Sequence, residues 1–282
     1  MTEAELTALV RRVVQEVVND TATSASQQPP LVRRGPSHRP LPPPQHPAAV
    51  EQLTSSTPAR IVTGRTGTRY LTDSYLGLRA DHAIALDAVE SQIPDGWAEQ
   101  QGWLSLRTRV ADHAEFLLAP DLGRRLDDAS KARCEKEADR GVDVQLIAGD
   151  GLSALALQEN GPPLIKALQQ TLPAVGLRVG RPLFVKFARI GVADEIGVLT
   201  GAKSTVILVG ERPGLGTGDS LSVYIGVSPK IGQDNAEKNC ISNVRPIGIA
   251  PEEAAAQTVG IVRRGLELGV GGVALGLGWG RQ

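Results

Sequence analysis

The feature that most constrains the fold is the alternation of apolar runs and helix-like segments from about residue 142 onward. Strands that alternate with helices predict a mostly parallel sheet with helices on both faces. We therefore expect residues 141–282 to form a Rossmann-like α/β domain. The strand-like segments are VDVQLIA, RPLFVKFA, STVILVG and LSVYIGV, and the helix-like segments are NGPPLIKALQQTL, VADEIGVLTGA and APEEAAAQTVGIVRRGLEL, the last with Pro251 in its first turn.

The segment before this domain has a different pattern. Residues 51–140 are helical in their periodicity and poor in strand signals, as in TDSYLGLRADHAIALDAVESQI, where Thr72 or Asp73 can cap a helix. We expect a small helical domain over 51–140.

The N-terminal 50 residues do not read as part of a core. Residues 1–19 place leucines and valines at helical spacing on one face, and Thr2 and Glu5 are spaced as a capping box. Residues 20–50 hold eight of the nineteen prolines, which is typical of an extended linker. The sequence thus predicts an amphipathic helix, for docking or for targeting, on a Pro-rich tether.

Composition excludes several functional classes. The net charge of −1 and the aromatic content of 3% argue against a nucleic-acid partner. The only cysteines, Cys134 and Cys240, cannot form a disulfide framework or a thiolate zinc site. No apolar run is long enough to span a bilayer, and acidic residues precede any apolar stretch, unlike a secretory signal. We expect a cytoplasmic protein without a membrane partner.

The glycine-rich loops do not match known nucleotide motifs. In GLGTGD, Asp219 stands where the third glycine of a dinucleotide loop would be, and no Lys-Ser/Thr pair follows for a phosphate loop. GVGGVA, from Gly269, matches the spacing but follows a helix instead of a strand. Nicotinamide binding is therefore not expected.

Catalytic and metal-binding constellations are also weak. The four histidines have no metal-like spacing, and Asp150 and Ser153 in GDGLS suit a helix cap at least as well as a ligand contact. Cys240 alone is more typical of a buried small side chain than of a nucleophile. We predict no catalytic residue and no metal ligand in this chain.

Position along the strands is more informative than residue type. Ile190 follows LFVKFA, Glu211 follows VILVG, and Cys240 is expected in the loop after VYIGV. Loops after parallel strands emerge at one edge of the sheet, where ligands bind. An apolar group, a carboxylate and a thiol on one rim suit a large, flat ligand that carries amides.

The segments that carry these residues resemble a known family. GDGLS, DLGRRL, ARIGVADEIG, VILVGERPGLGTGDSLSVYIG, NCISNVRPIG and PEEAAAQTV closely resemble the small subunit of ethanolamine ammonia-lyase, over roughly residues 55–270. LVGERPGLG and CISN are the most specific of them.

The resemblance implies a function. The family's enzyme depends on adenosylcobalamin and converts ethanolamine to acetaldehyde and ammonia by a radical mechanism. Its large subunit, a TIM barrel, carries the substrate site, and the small subunit covers part of the corrinoid at the interface between them. By motif, the cobalamin contacts carried over are Ile190, Glu211 and Cys240. The alternative is a non-catalytic α/β scaffold or binding protein of the same fold.

Two further expectations concern the cofactor and the N-terminus. No histidine here lies in a D-x-H-x-x-G motif, so we expect base-on cobalamin without a cobalt ligand from this chain. An amphipathic helix on a Pro-rich linker also resembles the encapsulation peptides of bacterial microcompartment cargo. The resemblance thus implies a microcompartment lumen and a contact between residues 1–19 and the shell.

Overall fold

The computed structural model describes residues 44–57 and 59–278. The predicted helix over 1–19 and residues 20–43 of the predicted linker lie outside the described residues. The chain divides into two compact units, residues 1–78 and 79–282. The described part of the first unit holds helix α1 (Pro47–Ser55), the antiparallel pair β1 (Arg65–Thr66) and β2 (Arg69–Tyr70), and the start of helix α2 (Thr72–Glu90).

The predicted linker ends in a helix. Proline at the first helical position costs no hydrogen bond, because that N–H would be unpaired in any case. Pro47 accordingly begins α1, so the last four residues of the segment predicted as extended, 47–50, are helical.

The second unit is built on a six-stranded sheet in the order β3-β5-β4-β6-β7-β8. The pairs β3·β5, β5·β4 and β4·β6 are parallel, whereas β6·β7 and β7·β8 are antiparallel. This confirms the predicted mixed α/β class with a mostly parallel sheet. The strands are β3 (Leu104–Arg107), β4 (Val144–Gly149), β5 (Leu183–Lys186), β6 (Ser204–Gly210), β7 (Leu221–Val227) and β8 (Lys238–Val244).

Two features of the sheet differ from the sequence analysis. Strand β3 lies within the segment expected to be helical and was not predicted. The segment VYIGV belongs to β7, which runs antiparallel to β6 because only a loop joins the two strands. A parallel pair needs a crossover of a dozen or more residues, usually a helix.

The apolar runs explain why the sheet is central. Every residue of β4 and of β6 is buried, as expected for strands covered on both faces. Successive side chains point to opposite faces, so Leu146 and Leu208 join one core cluster while Ile147 and Ile207 join the other.

Helices cover both faces of this sheet. Helices α6 (Ala154–Ala174) and α8 (Pro251–Leu268) pack together on one face, and α5 (Asp128–Glu137) packs with α7 (Val192–Thr200) on the other. Pro251 begins α8 as predicted. The remaining elements are α3 (Trp97–Gln100), α4 (His113–Leu118), α9 (Val273–Gly278) and short 3-10 helices at Leu122–Arg124 and Asn235–Glu237.

Helix α6 begins well before the predicted NGPPLIKALQQTL segment. Ser153 caps it, with its Oγ accepting a hydrogen bond from the Ala156 amide at 3.1 Å, so Pro162 and Pro163 lie inside the helix. In the part of the chain described, no helix has both the length and the apolar character needed to cross a bilayer.

Candidate functional site

A cavity of about 390 Å³ opens at the edge of the sheet where β4, β5 and β6 end. Gly151 and Leu152 follow β4, and the segments 188–191 and 210–212 lie at the ends of β5 and β6. Residues of β7 and β8 also line it, namely Ser222, Tyr224 and Ser242. The carboxyl edge of parallel strands is where α/β sheets bind ligands, so this cavity is the candidate site.

Glu211 is the acidic residue in the cavity lining, and its carboxylate is held by three donors. The Ser222 hydroxyl donates to Oε1 at 2.6 Å, and the Asn243 backbone N–H donates to the same oxygen at 2.8 Å. The Ser220 hydroxyl donates to Oε2 at 2.8 Å. These contacts fix the orientation of a half-buried charged side chain.

The same contacts decide the charge of Glu211. Burial raises the pKa of the Glu211 carboxyl, but the hydrogen bonds from Ser222, the Asn243 backbone and Ser220 outweigh it and hold the pKa below its ordinary value. Arg245 lowers the pKa further by charge attraction. Glu211 is therefore ionised near neutral pH and presents an acceptor to the cavity.

An irregularity in the β7·β8 pairing places the Asn243 donor. Leu221 pairs with Val244 and Val223 pairs with Ile241, so β8 carries one extra residue opposite Ser222. Such a bulge bends a strand and re-aims its groups. Asn243 adopts a left-handed φ of 61°, which asparagine tolerates better than most residues, and its N–H meets Glu211.

Ile190 lies where the sequence placed it, on the rim after β5. It is half-buried, lines the cavity, and packs against the core cluster that contains Val192 and Ile207. The structure therefore brings Ile190 and Glu211 to one cavity and leaves part of the isoleucine surface free to meet a ligand.

Cys240 does not lie in a loop, and that expectation is wrong. It is within β8, opposite Tyr224, because the chain turns back directly after the 3-10 helix at Asn235–Glu237. Since β8 is antiparallel to β7, it returns toward the cavity edge. Cys240 is exposed, and its Sγ lies 3.3 Å from the Oγ of Ser242, which lines the cavity.

Tyr224 lines the cavity and is paired with Cys240 on the neighbouring strand. Burial, and then the neighbouring Cys240, raise the pKa of the Tyr224 hydroxyl to about 12. The phenol is therefore neutral and can donate a hydrogen bond.

The two polar residues of the GDGLS segment, Asp150 and Ser153, have different roles. Ser153 is the helix cap described above, and its hydroxyl also bonds the Gly218 carbonyl. Asp150 is buried, and its Oδ2 has no hydrogen-bond partner within the described residues. Burial raises the pKa of the Asp150 carboxyl to about 7, although Lys186 and the amides of Phe187 and Ile93 lower it in part. Asp150 does not line the cavity, whereas Gly151 beside it does.

Three arginines of the cavity were not predicted. Arg124, Arg189 and Arg212 all line it, each on a different segment. They lie within the quoted motifs DLGRRL, ARIG and GERPG, but no spacing brings them together, and only the fold does. Among the residues that the structure describes, no group of three His, Cys, Asp or Glu side chains could hold a metal ion.

Comparison with known families identifies a match over most of the chain. The model of the family described as ethanolamine ammonia-lyase light chain (EutC) matches residues 47–276, which include nearly all of the described part. That family is the small subunit of a cobalamin-dependent lyase complex, and membership implies association with the large subunit.

Proposed function

Since the chain belongs to the ethanolamine ammonia-lyase light-chain family, we propose that it covers part of adenosylcobalamin at the interface with the large, catalytic TIM-barrel subunit. The complex would convert ethanolamine to acetaldehyde and ammonia by a radical mechanism. In this proposal the present chain is an obligate subunit without catalytic residues of its own.

The observation that carries the proposal is the ionised, three-donor Glu211 carboxylate in the cavity. A corrinoid bears many primary amides, whose N–H groups are donors that a fixed carboxylate can accept. Ile190 offers an apolar contact to the face of the ring, and Cys240, beside Ser242, can contact its edge. These three residues are the proposed cofactor contacts.

The dimensions of the cavity also support a shared site. Pockets that enclose a drug-sized ligand measure about 300–1,000 Å³. A corrinoid with its nucleotide tail is far larger than such a ligand, so a cavity of about 390 Å³ accepts only part of it. The rest of its surface is left for the large subunit.

The division of labour follows from the residues. When bound, adenosylcobalamin supplies the organic radical that starts the reaction, and the protein supplies binding and orientation. Glu211 would fix the orientation of an amide, and Ile190 and Tyr224 would exclude water from the covered part. We propose base-on binding without a cobalt ligand from this chain.

Reconstitution tests the proposal. Ammonia release from ethanolamine with added adenosylcobalamin is measured for this chain, for the large subunit, and for the two together. Activity in the mixture alone supports the obligate-subunit role. Activity of this chain alone would contradict it, and an inactive mixture with a folded large subunit would favour the scaffold alternative.

Substitution and labelling test the contacts. Glu211→Gln removes the charge and should weaken corrinoid binding to the complex by about tenfold, the loss of one charge-assisted hydrogen bond. Glu253→Gln, on the exposed side of α8, is the matched control. Bound corrinoid should slow alkylation of the exposed Cys240. Cys134 is an internal reference, since it is buried and burial raises the pKa of its thiol to about 11.

The N-terminal proposal stands apart from the cavity. We propose that residues 1–19 direct the enzyme into a bacterial microcompartment through a shell contact. Deletion of 1–19 should leave the activity of the reconstituted complex unchanged and abolish its co-purification with shells; unchanged encapsulation would disprove the targeting role.

A further inference from the structure

The cavity carries more positive charge than the residues around it neutralise. Arg124, Arg189 and Arg212 line it together with a single carboxylate, that of Glu211. Glu211 is already bonded to Ser220, Ser222 and the Asn243 amide. The described lining of the cavity therefore holds no further carboxylate that could neutralise the three arginines.

The partners of each arginine show the same excess. Arg212 is exposed, and Arg189 and Arg212 have no carboxylate within ion-pairing distance among the residues that the structure describes. Among the described residues, Arg124 forms an ion pair with Asp121 alone, at 3.6 Å, and both side chains are largely exposed. An exposed pair of this kind neutralises little of a charge.

Arg189 is the most constrained of the three. Its guanidinium lies 4.1 Å from the centre of the Phe116 ring and donates to the Phe116 carbonyl at 2.8 Å. Its Nε is buried and has no hydrogen-bond partner within the described residues. Burial, and then repulsion by Arg212 and Arg124, lower the pKa of Arg189, so the three charges are close enough to oppose one another.

The backbone holds this arrangement in place. The Arg189 N–H donates to the Gly123 carbonyl at 2.8 Å. A Cβ on Gly123 would lie 2.7 Å from the Arg189 Cγ, and one on Gly191 would lie 3.2 Å from the Arg124 Cγ. Two glycines thus permit the approach of the arginine segments.

A buried glutamate anchors the segment that carries Arg124. The Glu195 carboxylate accepts the Leu126 N–H at 2.7 Å and pairs with Lys131 at 3.2 Å and Arg125 at 3.7 Å. Glu195 is thus paired with Lys131 and Arg125, and among the described residues it forms no ion pair with an arginine of the cavity.

We propose that Arg124, Arg189 and Arg212 form a subsite for the phosphodiester of the corrinoid's nucleotide tail. Guanidinium groups match phosphate oxygens in geometry and charge, and clustered arginines without counter-ions become more stable when an anion binds. The inference rests on the proposed corrinoid site and adds the direction of the ligand: the phosphodiester lies at the arginines, and the corrin amides lie toward Glu211.

The test compares two ligands on the reconstituted complex with the large subunit. Hydroxocobalamin carries the nucleotide tail and its phosphate, and cobinamide lacks the nucleotide and its phosphodiester. Arg212→Gln should weaken hydroxocobalamin binding by about tenfold, the loss of one charge-assisted contact, and change cobinamide binding by less than about twofold. Added NaCl should weaken the first ligand's binding more than the second's.

Further variants sharpen the test. Arg189→Gln should show the same selectivity, and Arg212→Lys should retain part of the affinity because it keeps the charge but loses the planar fork. Arg263→Gln is the matched control, since Arg263 is exposed on α8 and makes no ion pair with the described residues.

Each other outcome contradicts the subsite. Equal losses for the two ligands would place the arginines on the corrin itself, and no loss would remove them from the site. Weaker association of Arg212→Gln with the large subunit, measured by gel filtration without ligand, would assign the arginines to acidic groups of that subunit. A wild-type complex that binds neither ligand would instead overturn the proposed function.

Discussion

Two carboxyl groups follow neighbouring strands of the sheet, and their surroundings move their pKa values in opposite directions. Asp150 follows β4, is 3% exposed, and has a carboxylate oxygen without a partner among the described residues, so its pKa rises to about 7. Glu211 follows β6, where three donors hold its pKa below the ordinary value. Hydrogen-bond donors, more than burial alone, decide which of the two carries a charge.

The difference has a topological origin. Asp150 is buried at the end of β4, where the backbone amides of Phe187 and Ile93 offset only part of the effect of burial. Glu211 lies where the antiparallel strands β7 and β8 begin and end, and their side chains and bulge supply hydroxyl and amide donors. The following variants test this comparison.

The largest effect is expected from Gly210→Ala, which forces the end of β6 away from Ser153 in the segment after β4. A Cβ at this position would lie 2.1 Å from the Ser153 carbonyl oxygen, a backbone atom that cannot move without the start of α6. The free energy of unfolding should fall by about 3 kcal/mol or more, as measured by urea denaturation.

Gly260→Ala is the control for this substitution. Gly260 lies in α8, and apart from its chain neighbours and the nearby backbone of its own helix no atom of the described residues lies within 4 Å of the position that a Cβ would take, so alanine should stabilise the helix by about 0.5–1 kcal/mol. A similar loss in both variants would show that the close approach at Gly210 does not set the effect.

The next largest effect is expected from Asp150→Asn, which should change how the free energy of unfolding depends on pH. The raised pKa means that the folded state keeps a proton on Asp150 that the unfolded state releases. The contribution of this proton to the free energy of unfolding is therefore fully present below pH 3.8 and is lost as the pH rises through about 7. Between about pH 5 and about pH 8 this loss is about 3 kcal/mol, and the variant should lack it in urea titrations.

Glu211→Gln should change the pH dependence with the opposite sign. The lowered pKa of Glu211 gives stability that is present above its ordinary value and is lost as the pH falls through the folded-state value. In the Glu211→Gln variant, the free energy of unfolding should therefore lack this decline at acidic pH. Equal slopes for the two variants would contradict the contrast between the strand ends.

A smaller effect is expected from Ser222→Ala. The Ser222 hydroxyl is buried and donates to Glu211 over 2.6 Å, so its removal should cost about 2 kcal/mol and raise the pKa of the carboxyl. Urea unfolding measures the first change, and carboxyl ¹³C chemical shifts measure the second. In a double-mutant cycle with Glu211→Gln, additive effects would show that the hydroxyl does not act through the carboxylate.

The smallest effect is expected from Ser220→Ala. This donor is partly exposed and bonds the other oxygen at 2.8 Å, so we expect a loss of about 1 kcal/mol by the same measurement. A larger loss than for Ser222→Ala would reverse the assignment of the dominant donor.

The sequence predicted the parallel core because its strands are continuous apolar runs. Those of β4 and β6 are buried along their whole length, which leaves little ambiguity. Strand β3 was missed because four residues at the edge of a sheet, one of them Arg107, give a weak signal. The direction of β7 had a readable signal: the loop between Gly210 and Leu221 contains no helix that could serve as a crossover.

The site was only partly predictable for related reasons. Ile190 and Glu211 were placed by their positions after strands, and the cavity contains both. The place of Cys240 depended on the wrong direction of β7. Arg189 and Arg212 lie 65 and 88 residues after Arg124 along the chain. The segments of Arg124 and Arg189 meet through the close approaches at Gly123 and Gly191.

The dependence of Glu211 on β7 and β8 has a consequence for assembly of the fold. None of its three donors belongs to the parallel strands, since Ser220 directly precedes β7, Ser222 lies at the start of β7 and Asn243 is near the end of β8. A folding intermediate with only the parallel strands paired would contain the carboxylate without the groups that orient it. The three donors are therefore in place only when β7 and β8 are paired with the rest of the sheet, whatever the order in which the strands come together.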